Sequence, residues 1–98
     1  MEEYRMHFTY VLLSEADGKL YTGATADLRQ RLRLHTAGRI RSSAHRRPLT
    51  LLYYEASPSA DDAFRRERYL KSGRGGRYLK ARLATSLADL RRNKLERH

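Results

Sequence analysis

Two tyrosines, Tyr10 and Tyr21, stand 11 residues apart in two apolar segments that have the composition of β-strands. Alternate residues of a strand point to one face, so Tyr10 shares a face with Leu12, and Tyr21 shares one with Gly23. A glycine there removes a side chain where another group could approach the backbone closely. Phenol hydroxyls donate and accept hydrogen bonds, so the pair is a candidate for positioning a water or handling a proton.

Arg31 and His35 lie four residues apart in a segment that is predicted to be helical, and therefore one turn apart on the same side of the helix. A guanidinium can neutralise phosphate oxygens through its planar array of donors. An imidazole, with a reference pKa of about 6.5, can accept a proton at neutral pH. If the helix packs on the strands, both side chains can join the two phenols.

Glu67 is the one acidic residue of the segment 63–70, AFRRERYL, which has helical periodicity. It falls within an apolar stripe that is formed by Ala60, Ala63, Phe64 and Leu70. A carboxylate on an apolar face is costly unless it is paired with a cation or binds a metal. Glu67 is therefore either half of an ion pair with an arginine or a metal ligand.

The charge of the chain predicts a polyanionic partner. Its 98 residues contain 21 Lys and Arg against 11 Asp and Glu, which gives a net charge of +10. The excess is concentrated: residues 28–49 contain seven arginines and no acid, and Glu67 is the one acid of residues 65–82. Nucleic acid fits this distribution better than an anionic membrane, because no long amphipathic anchor is visible. A solubilising surface is the alternative explanation.

Composition excludes several classes of site. The chain has no cysteine, so disulfides, thiol nucleophiles and thiolate zinc sites are excluded. Its length suits one domain, expected to span residues 1–98. The apolar run near the N-terminus is too short for a signal peptide or a membrane span. We therefore expect a cytoplasmic protein with no membrane association.

The predicted fold class is α/β of the α+β type, a small three-stranded antiparallel sheet flanked by helices in the order ββαβααα. Asp17-Gly18 predicts the hairpin turn, Asp27 the first helix cap, and Gly38 that helix's end. Ser72–Gly76 is expected to break the helix that carries Glu67. The predicted strands are 7–14, 20–24 and 49–56, and the predicted helices are 27–37, 59–71, 77–83 and 86–96.

Phe8-Thr9-Tyr10, followed by Tyr21-Thr22-Gly23, resembles the paired motif of the GIY-YIG nucleases. The spacing of the two tyrosines is similar to that of the family. Arg31 follows the second motif on a predicted helix and Glu67 lies on a later helix, as in that family. The resemblance covers about residues 6–83 and is greatest to small stand-alone members that are similar to the N-terminal domain of the excision-repair endonuclease.

The resemblance implies an endonuclease that hydrolyses phosphodiester bonds in DNA with one divalent ion, Mg²⁺ or Mn²⁺, held by Glu67. It implies that Arg31 clamps the scissile phosphate, that Tyr10 is the general base and that Tyr21 bonds nearby. His35 stays open as a partner or substitute for Tyr10, because a phenol with a reference pKa of about 10 is a poor base. Arg29 and Arg33 stay open as alternatives to Arg31.

The remaining expectations concern binding. A basic set is expected to follow the nucleic-acid backbone: Arg29, Arg39, Arg41, Arg46, Arg47, Lys71, Arg74 and Arg77. Backbone contacts add affinity without reading sequence, so cleavage is expected to be structure-selective, weakly specific or directed by a protein partner. Branched and damaged DNA are the candidate substrates. The alternative function is a non-catalytic nucleic-acid-binding module with the same fold.

Overall fold

A computed structural model describes residues 5–96 of the chain. The sheet contains strands β1 (His7–Ser14), β2 (Leu20–Thr25) and β3 (Leu49–Ser57). The helices are α1 (Leu28–Thr36), α2 (Ala60–Lys71), α3 (Gly73–Arg82) and α4 (Ala84–Glu96), and a short 3₁₀ turn spans Ala44–Arg46. This order confirms the predicted ββαβααα arrangement.

The strands form an antiparallel sheet in the order β2-β1-β3, with β1 in the centre. Gly18 adopts the positive φ of 71° that its turn requires, and Gly38 does so (φ 75°) just beyond the end of α1. The side chain of Asp27 accepts a hydrogen bond from the backbone N–H of Gln30 and so caps α1. The three predicted local signals are therefore confirmed.

One face of the sheet forms the main hydrophobic core with the last three helices. Val11 and Leu13 of β1 pack there against Leu70, Leu79 and further leucines of α3 and α4. The Thr9 hydroxyl of β1 donates to the Ala63 carbonyl of α2 at 3.0 Å, which ties the helix to the central strand. Helix α1 lies on the opposite face, where Tyr10, Leu12 and His35 are buried. One face of β1 therefore contributes to the main hydrophobic core, and the other carries Tyr10 under α1.

The prediction that Ser72–Gly76 is a break between helices is wrong in part. Helix α2 ends at Lys71, but α3 begins directly at Gly73. Ser72 caps α3 by accepting from the backbone N–H of Gly75 at 3.1 Å. A Cβ at Gly75 would collide with the backbone of Tyr69 and Leu70, so this glycine allows two helices to meet closely. Glycine here serves packing, and periodicity alone could not show this.

Two smaller predictions are also corrected. The last helix begins at Ala84, two residues before the predicted start at Ser86. Phe64 does not belong to the buried stripe of α2, because 51% of its surface is exposed, whereas Ala63 and Leu70 are buried.

Within residues 5–96, no helix is long and apolar enough to cross a membrane.

Candidate active site

The β1–β2 hairpin brings the two predicted tyrosines onto the face that α1 covers. In the strand register Tyr10 lies opposite Gly23, and Leu12 lies opposite Tyr21. The phenol ring of Tyr10 crosses the backbone of Gly23, in the space where any other residue would place its Cβ. Tyr10 is 2% exposed, whereas Tyr21 is only partly buried. The glycine of the second motif therefore exists to admit the tyrosine of the first.

Replacing Gly23 with alanine is expected to destabilise the fold. The new Cβ would lie 2.9 Å from Cε1 of Tyr10 and closer still to Cζ and the hydroxyl, so the ring would have to move. Overpacking of this kind costs about 1–3 kcal/mol. Urea unfolding measures the loss. Gly76→Ala is the matched control, because its Cβ meets no atom within 4 Å; equal stability of the two variants would contradict the packing argument.

His35 connects helix α1 to the tyrosines. Its Nε2 atom lies 2.7 Å from the Tyr10 hydroxyl, and its Nδ1 atom lies 2.6 Å from the Ser43 hydroxyl. The imidazole packs edge-on against both phenol rings, with centroid separations of 5.5 Å to Tyr10 and 5.1 Å to Tyr21. Only 1% of His35 is exposed. These contacts make His35 the centre of a buried polar cluster.

Both ring nitrogens of His35 have a hydroxyl partner in this cluster. In the tautomer that carries its proton on Nδ1, His35 donates to the Ser43 oxygen and accepts from the Tyr10 hydroxyl through Nε2. The Ser43 hydroxyl can then point toward the backbone carbonyl of Ile40, whose oxygen lies 3.5 Å away. In this tautomer, Tyr10, His35 and Ser43 form a chain in which the imidazole can take a proton from the phenol.

Ser42 and Ser43 are site residues that sequence reasoning missed. Ser42 lies 2.8 Å from the Tyr21 hydroxyl, and Ser43 is fully buried beside His35. Both belong to the loop between α1 and β3, which the sequence predicts only as a basic segment. Two serines in an arginine-rich loop carry no spacing signal, so only the tertiary structure shows that this loop folds back over the tyrosines.

Two of the predicted nucleic-acid-binding arginines hold this loop in place. Arg46 forms an ion pair with Asp17 at 3.0 Å and donates to the backbone carbonyl of Leu20. Chiefly through the hydrogen bond from Arg46, with help from the Lys19 amide, the pKa of Asp17 falls to about 2, which keeps the pair ionised. Arg47 donates to the carbonyls of Ala44 and Thr36. Both arginines therefore hold the loop between α1 and β3 in place through contacts within the protein.

The other predicted phosphate-contacting residues lie on the surface. The exposed residues of this set are Arg29, Arg39, Arg41, Lys71, Arg74 and Arg77. Arg29 and Arg31 lie on opposite flanks of α1, because side chains two positions apart in an α-helix are rotated by about 200° around its axis. Arg31 is only partly exposed. This difference distinguishes Arg31 from Arg29, which spacing alone could not do.

The charges of Arg31 and Glu67 act on the phenol of Tyr10. Burial raises the pKa of Tyr10 well above its ordinary value, and Tyr21 raises it further; the Arg31 guanidinium opposes this rise, while the Glu67 carboxylate adds to it. Burial lowers the pKa of His35, and the positive charge of Arg31 lowers it further. At neutral pH the cluster therefore holds a neutral phenol and a neutral imidazole. The charges of Tyr21, Arg31 and Glu67 therefore act on Tyr10, and the charge of Arg31 also acts on His35.

Glu67 of α2 is partly buried, and its charge acts on the phenol of Tyr10. Its side chain is 20% exposed and its Oε2 atom accepts from Nζ of Lys71 at 3.0 Å, one helical turn away. The expected pairing partner was an arginine, whereas the observed partner is a lysine. The Lys71 side chain is 56% exposed, so the pair is weak and the ammonium can move into solvent.

The carboxylate of Glu67 fits a hard divalent cation better than a soft metal. Residues 5–96 contain no group of three or more His, Cys, Asp and Glu side chains that could hold a metal alone. Mg²⁺ does not need such a group, because it keeps several waters and binds through one or two carboxylates plus substrate phosphate oxygens. The Glu67 side chain is 20% exposed, so a cation from solvent can reach this carboxylate. The donor set is therefore compatible with a Mg²⁺-type ion.

The sequence of this chain is similar to those of known proteins. The family model described as the GIY-YIG catalytic domain matches residues 6–78. A UPF0213 protein from Streptococcus pyogenes is 43% identical over 65 residues, which covers 65% of this chain and 70% of that protein. A UPF0213 protein from Bacillus pumilus is 38% identical over 73 residues, which covers 74% of this chain and 72% of that protein.

A solved structure shows the same arrangement. The solution NMR structure of a UPF0213 protein from Bacillus halodurans superposes with a TM-score of 0.50 at 33% sequence identity, covering 78% of this chain and 83% of that one. The family match spans both tyrosines, the helix of Arg31 and His35, and Glu67. On this match and these relatives, the chain belongs to the GIY-YIG nuclease family.

Proposed function

We propose that this protein is a divalent-metal-dependent endonuclease that hydrolyses phosphodiester bonds in DNA. The observation that supports this best is the buried Tyr10–His35–Ser43 chain, with Arg31 and Glu67 within electrostatic reach of its phenol end. A protein that only bound DNA would have no need for a proton path that ends beside an acid and a guanidinium. Such an arrangement suits a reaction in which water loses a proton and a phosphoryl group gains charge.

Proton transfer begins at Tyr10. Because its pKa is raised by burial, the phenol is protonated at neutral pH and cannot act as a free phenolate. Instead, Tyr10 accepts a proton from the attacking water as its own proton passes to Nε2 of His35. The water oxygen bonds to phosphorus as the bond to the leaving sugar oxygen breaks. This relay answers the choice between Tyr10 and His35: the two act in series.

The remaining side chains of the site stabilise the charge on the phosphate and orient the phosphate and the attacking water. Arg31 donates to the non-bridging phosphate oxygens, whose charge increases as the water attacks. Tyr21, held by Ser42, lines the opening of the site and bonds to the phosphate or the attacking water. Glu67 would hold the metal ion, Mg²⁺ or Mn²⁺, which would supply Lewis-acid stabilisation of phosphate charge. The exposed ammonium of Lys71, which pairs with Glu67, can also contact the DNA backbone.

The substrate is DNA that is recognised by shape or by weak sequence preference. The exposed arginines around the site contact phosphates, which position DNA without reading bases. Within residues 5–96, no group of three or more His, Cys, Asp and Glu side chains could hold the zinc ion of a sequence-reading finger. Branched and damaged duplexes are therefore the first substrates to test, with a protein partner as the source of any further selectivity.

Replacing Ser43 with alanine is expected to slow cleavage and to shift its pH dependence. In the proposed relay, the Ser43 oxygen, 2.6 Å from Nδ1 of His35, accepts from Nδ1–H, and this bond strengthens when the imidazole becomes positive. Hydrogen bonds to charged groups are worth about 1.5–3 kcal/mol, so the plateau rate should fall about tenfold or more. Because the imidazolium loses its acceptor, the acidic limb of the rate profile should move to lower pH.

The measurement is a pH–rate profile of single-turnover nicking. In the wild type, the acidic limb should lie below pH of about 6.5, because burial and Arg31 lower the pKa of His35. Ser42→Ala is the control, since Ser42 contacts Tyr21 rather than His35, and its limb should stay in place. A limb that is unmoved in Ser43→Ala would remove His35 from the proton path.

The second candidate function is a non-catalytic DNA-binding module. One observation favours it: the Lys71 ammonium already neutralises Glu67, so this carboxylate has a partner without any metal. In that case the acid would serve only the stability of α2. The two candidate functions predict different effects of divalent ions. A nuclease requires them for cleavage, whereas a binding module stabilised by the Glu67–Lys71 ion pair does not require them.

A nicking assay tests the proposal. Supercoiled plasmid, a branched duplex and a duplex with a damaged base are incubated with the protein and Mg²⁺, Mn²⁺, Ca²⁺ or EDTA. We expect products with Mg²⁺ or Mn²⁺, and loss of activity with EDTA that fresh Mg²⁺ restores. Binding to every substrate without cleavage under any of these conditions would favour the binding module.

A further inference from the structure

A groove on the far side of α1 has the composition of a nucleotide site, and the catalytic cluster does not use it. It encloses about 530 Å³ between β1, β3 and the first turns of α1. Its apolar lining includes Phe8, Leu28 and Leu32, and Tyr54 of β3 forms one side. The volume is in the range of small-molecule sites in proteins. The groove exists because α1, nine residues long, covers only part of this sheet face.

Tyr54 is the unusual residue of the groove. It lies opposite Tyr10 in the sheet register, on the face that carries the catalytic cluster, yet 54% of it is exposed. The ring of Phe8 meets it edge-on at a centroid separation of 6.2 Å, which fixes its orientation. An exposed, oriented aromatic ring beside an apolar floor is a stacking surface for a planar group.

The charges of the groove separate into two kinds. Arg5 and Arg29 line it and are exposed, as phosphate-binding groups are. Asp27 also lines it, and its Oδ1 atom caps α1. A carboxylate repels phosphate but accepts hydrogen bonds from the exocyclic amino groups of bases. Aromatic, carboxylate and guanidinium groups around one groove match the base and the phosphates of one nucleotide.

We propose that this groove binds an unpaired nucleotide of the DNA substrate, with its base stacked on Tyr54 and the flanking phosphates on Arg5 and Arg29. The inference rests on the proposed function only in taking DNA as the ligand. A paired base cannot enter, because its faces are covered by its neighbours in the duplex. The site therefore selects DNA that carries a single-stranded segment, a gap or an unstacked base.

The groove is close enough to the reaction centre for one strand to occupy both. Phe8 and Tyr10 are two residues apart on one face of β1, a separation of about 7 Å. Nucleotides of a stacked strand rise about 3.4 Å each. The unpaired nucleotide would therefore lie about two to three steps from the bond that is cut, which places the single-stranded segment next to the cleavage point.

The test compares DNA binding by the wild type and by Tyr54→Ala in EDTA, which prevents cleavage. Fluorescence anisotropy is recorded with a labelled single strand of about 12 nucleotides and with a blunt duplex of the same length. Stacking of one base on an aromatic side chain changes affinity by about five-fold to about a hundred-fold. We expect a loss of about five-fold or more for the single strand and an unchanged affinity for the duplex.

Three variants complete the test. Tyr54→Phe keeps the ring and should bind as the wild type does, whereas Tyr54→Thr keeps strand propensity without the ring and should behave as Tyr54→Ala does. Phe64→Ala removes an aromatic residue of similar exposure on α2, outside the groove, and should change neither affinity. Equal losses for single strand and duplex, or no loss for either, would overturn the assignment of the groove to an unpaired nucleotide.

The outcome is independent of catalysis. If the protein cuts no DNA but Tyr54→Ala still loses single-strand affinity selectively, the groove assignment holds and the nuclease proposal fails. If the protein nicks duplex DNA and Tyr54→Ala leaves single-strand binding unchanged, the nuclease proposal holds and the groove assignment fails. The binding assay therefore decides the groove by itself.

Discussion

Glu67→Gln is expected to abolish DNA cleavage while DNA binding stays equal or becomes tighter. The amide keeps the size of the side chain but removes the charge that holds the divalent ion. The same change removes a negative charge from a surface that receives phosphates, and it frees Lys71, which Glu67 now binds at 3.0 Å. The rate should fall by about 10²- to 10³-fold or more, the loss that removal of one transition-state-stabilising group produces.

The experiment measures single-turnover nicking in Mg²⁺ or Mn²⁺ together with binding in EDTA. Asp62→Asn is the matched control, since Asp62 is another carboxylate of α2 that pairs with a nearby cation, Arg65, but it is not among the charges that shift the pKa of Tyr10. Its activity should remain near that of the wild type. Cleavage by Glu67→Gln at the wild-type rate would mean that Glu67 serves only its ion pair with Lys71.

Arg31→Ala is expected to lose about 10²- to 10³-fold in cleavage rate, and Arg29→Ala only a few-fold on duplex DNA. The two arginines have the same side chain and lie on the same helix, so the comparison removes the general effect of one positive charge. Only Arg31 influences the pKa of both Tyr10 and His35, which places its guanidinium at the cluster. Arg29 lines the groove on the other flank.

Rates of both variants should be measured at saturating protein, so that weaker DNA binding does not count as slower chemistry. Salt dependence of binding provides a second readout, because each lost phosphate contact reduces the salt slope by about one unit. If the two variants lose activity equally, Arg31 is one more phosphate-steering residue and the clamp must be sought elsewhere in the site.

Local sequence signals predicted most of the fold because each depends on a few neighbouring residues. Asp17-Gly18, Asp27 and Gly38 mark the turn, the helix start and the helix end where the structure has them. These signals come from backbone conformation and capping, which act over short distances. The glycine-rich segment 73–76 gave a wrong prediction because its glycines do not act through local backbone conformation. Gly75 is required for the close packing of α3 on the end of α2.

Spacing and resemblance selected the five candidate site residues; in the structure Tyr10 contacts His35, and the charges of Tyr21, Arg31 and Glu67 act on Tyr10. Their assigned roles stay proposals. The environment of Glu67 could not be predicted from the sequence. A glutamate with a lysine four residues later on the same helix, as Glu67 and Lys71 are, can be either buried or exposed. The exposed ring of Phe64 shows the same limit, since periodicity defines a stripe but not which of its positions another element covers.

The sequence by itself determined the elements, the family, the paired tyrosines and the basic character of the chain. Each of these depends on residue type and on spacing along the chain. The tertiary structure alone decided that Ser42 and Ser43 close over the site, that Arg46 and Arg47 hold the loop, and that Tyr54 stays uncovered. These contacts join residues far apart in the chain, and their energies depend on burial and direction, which local patterns do not encode.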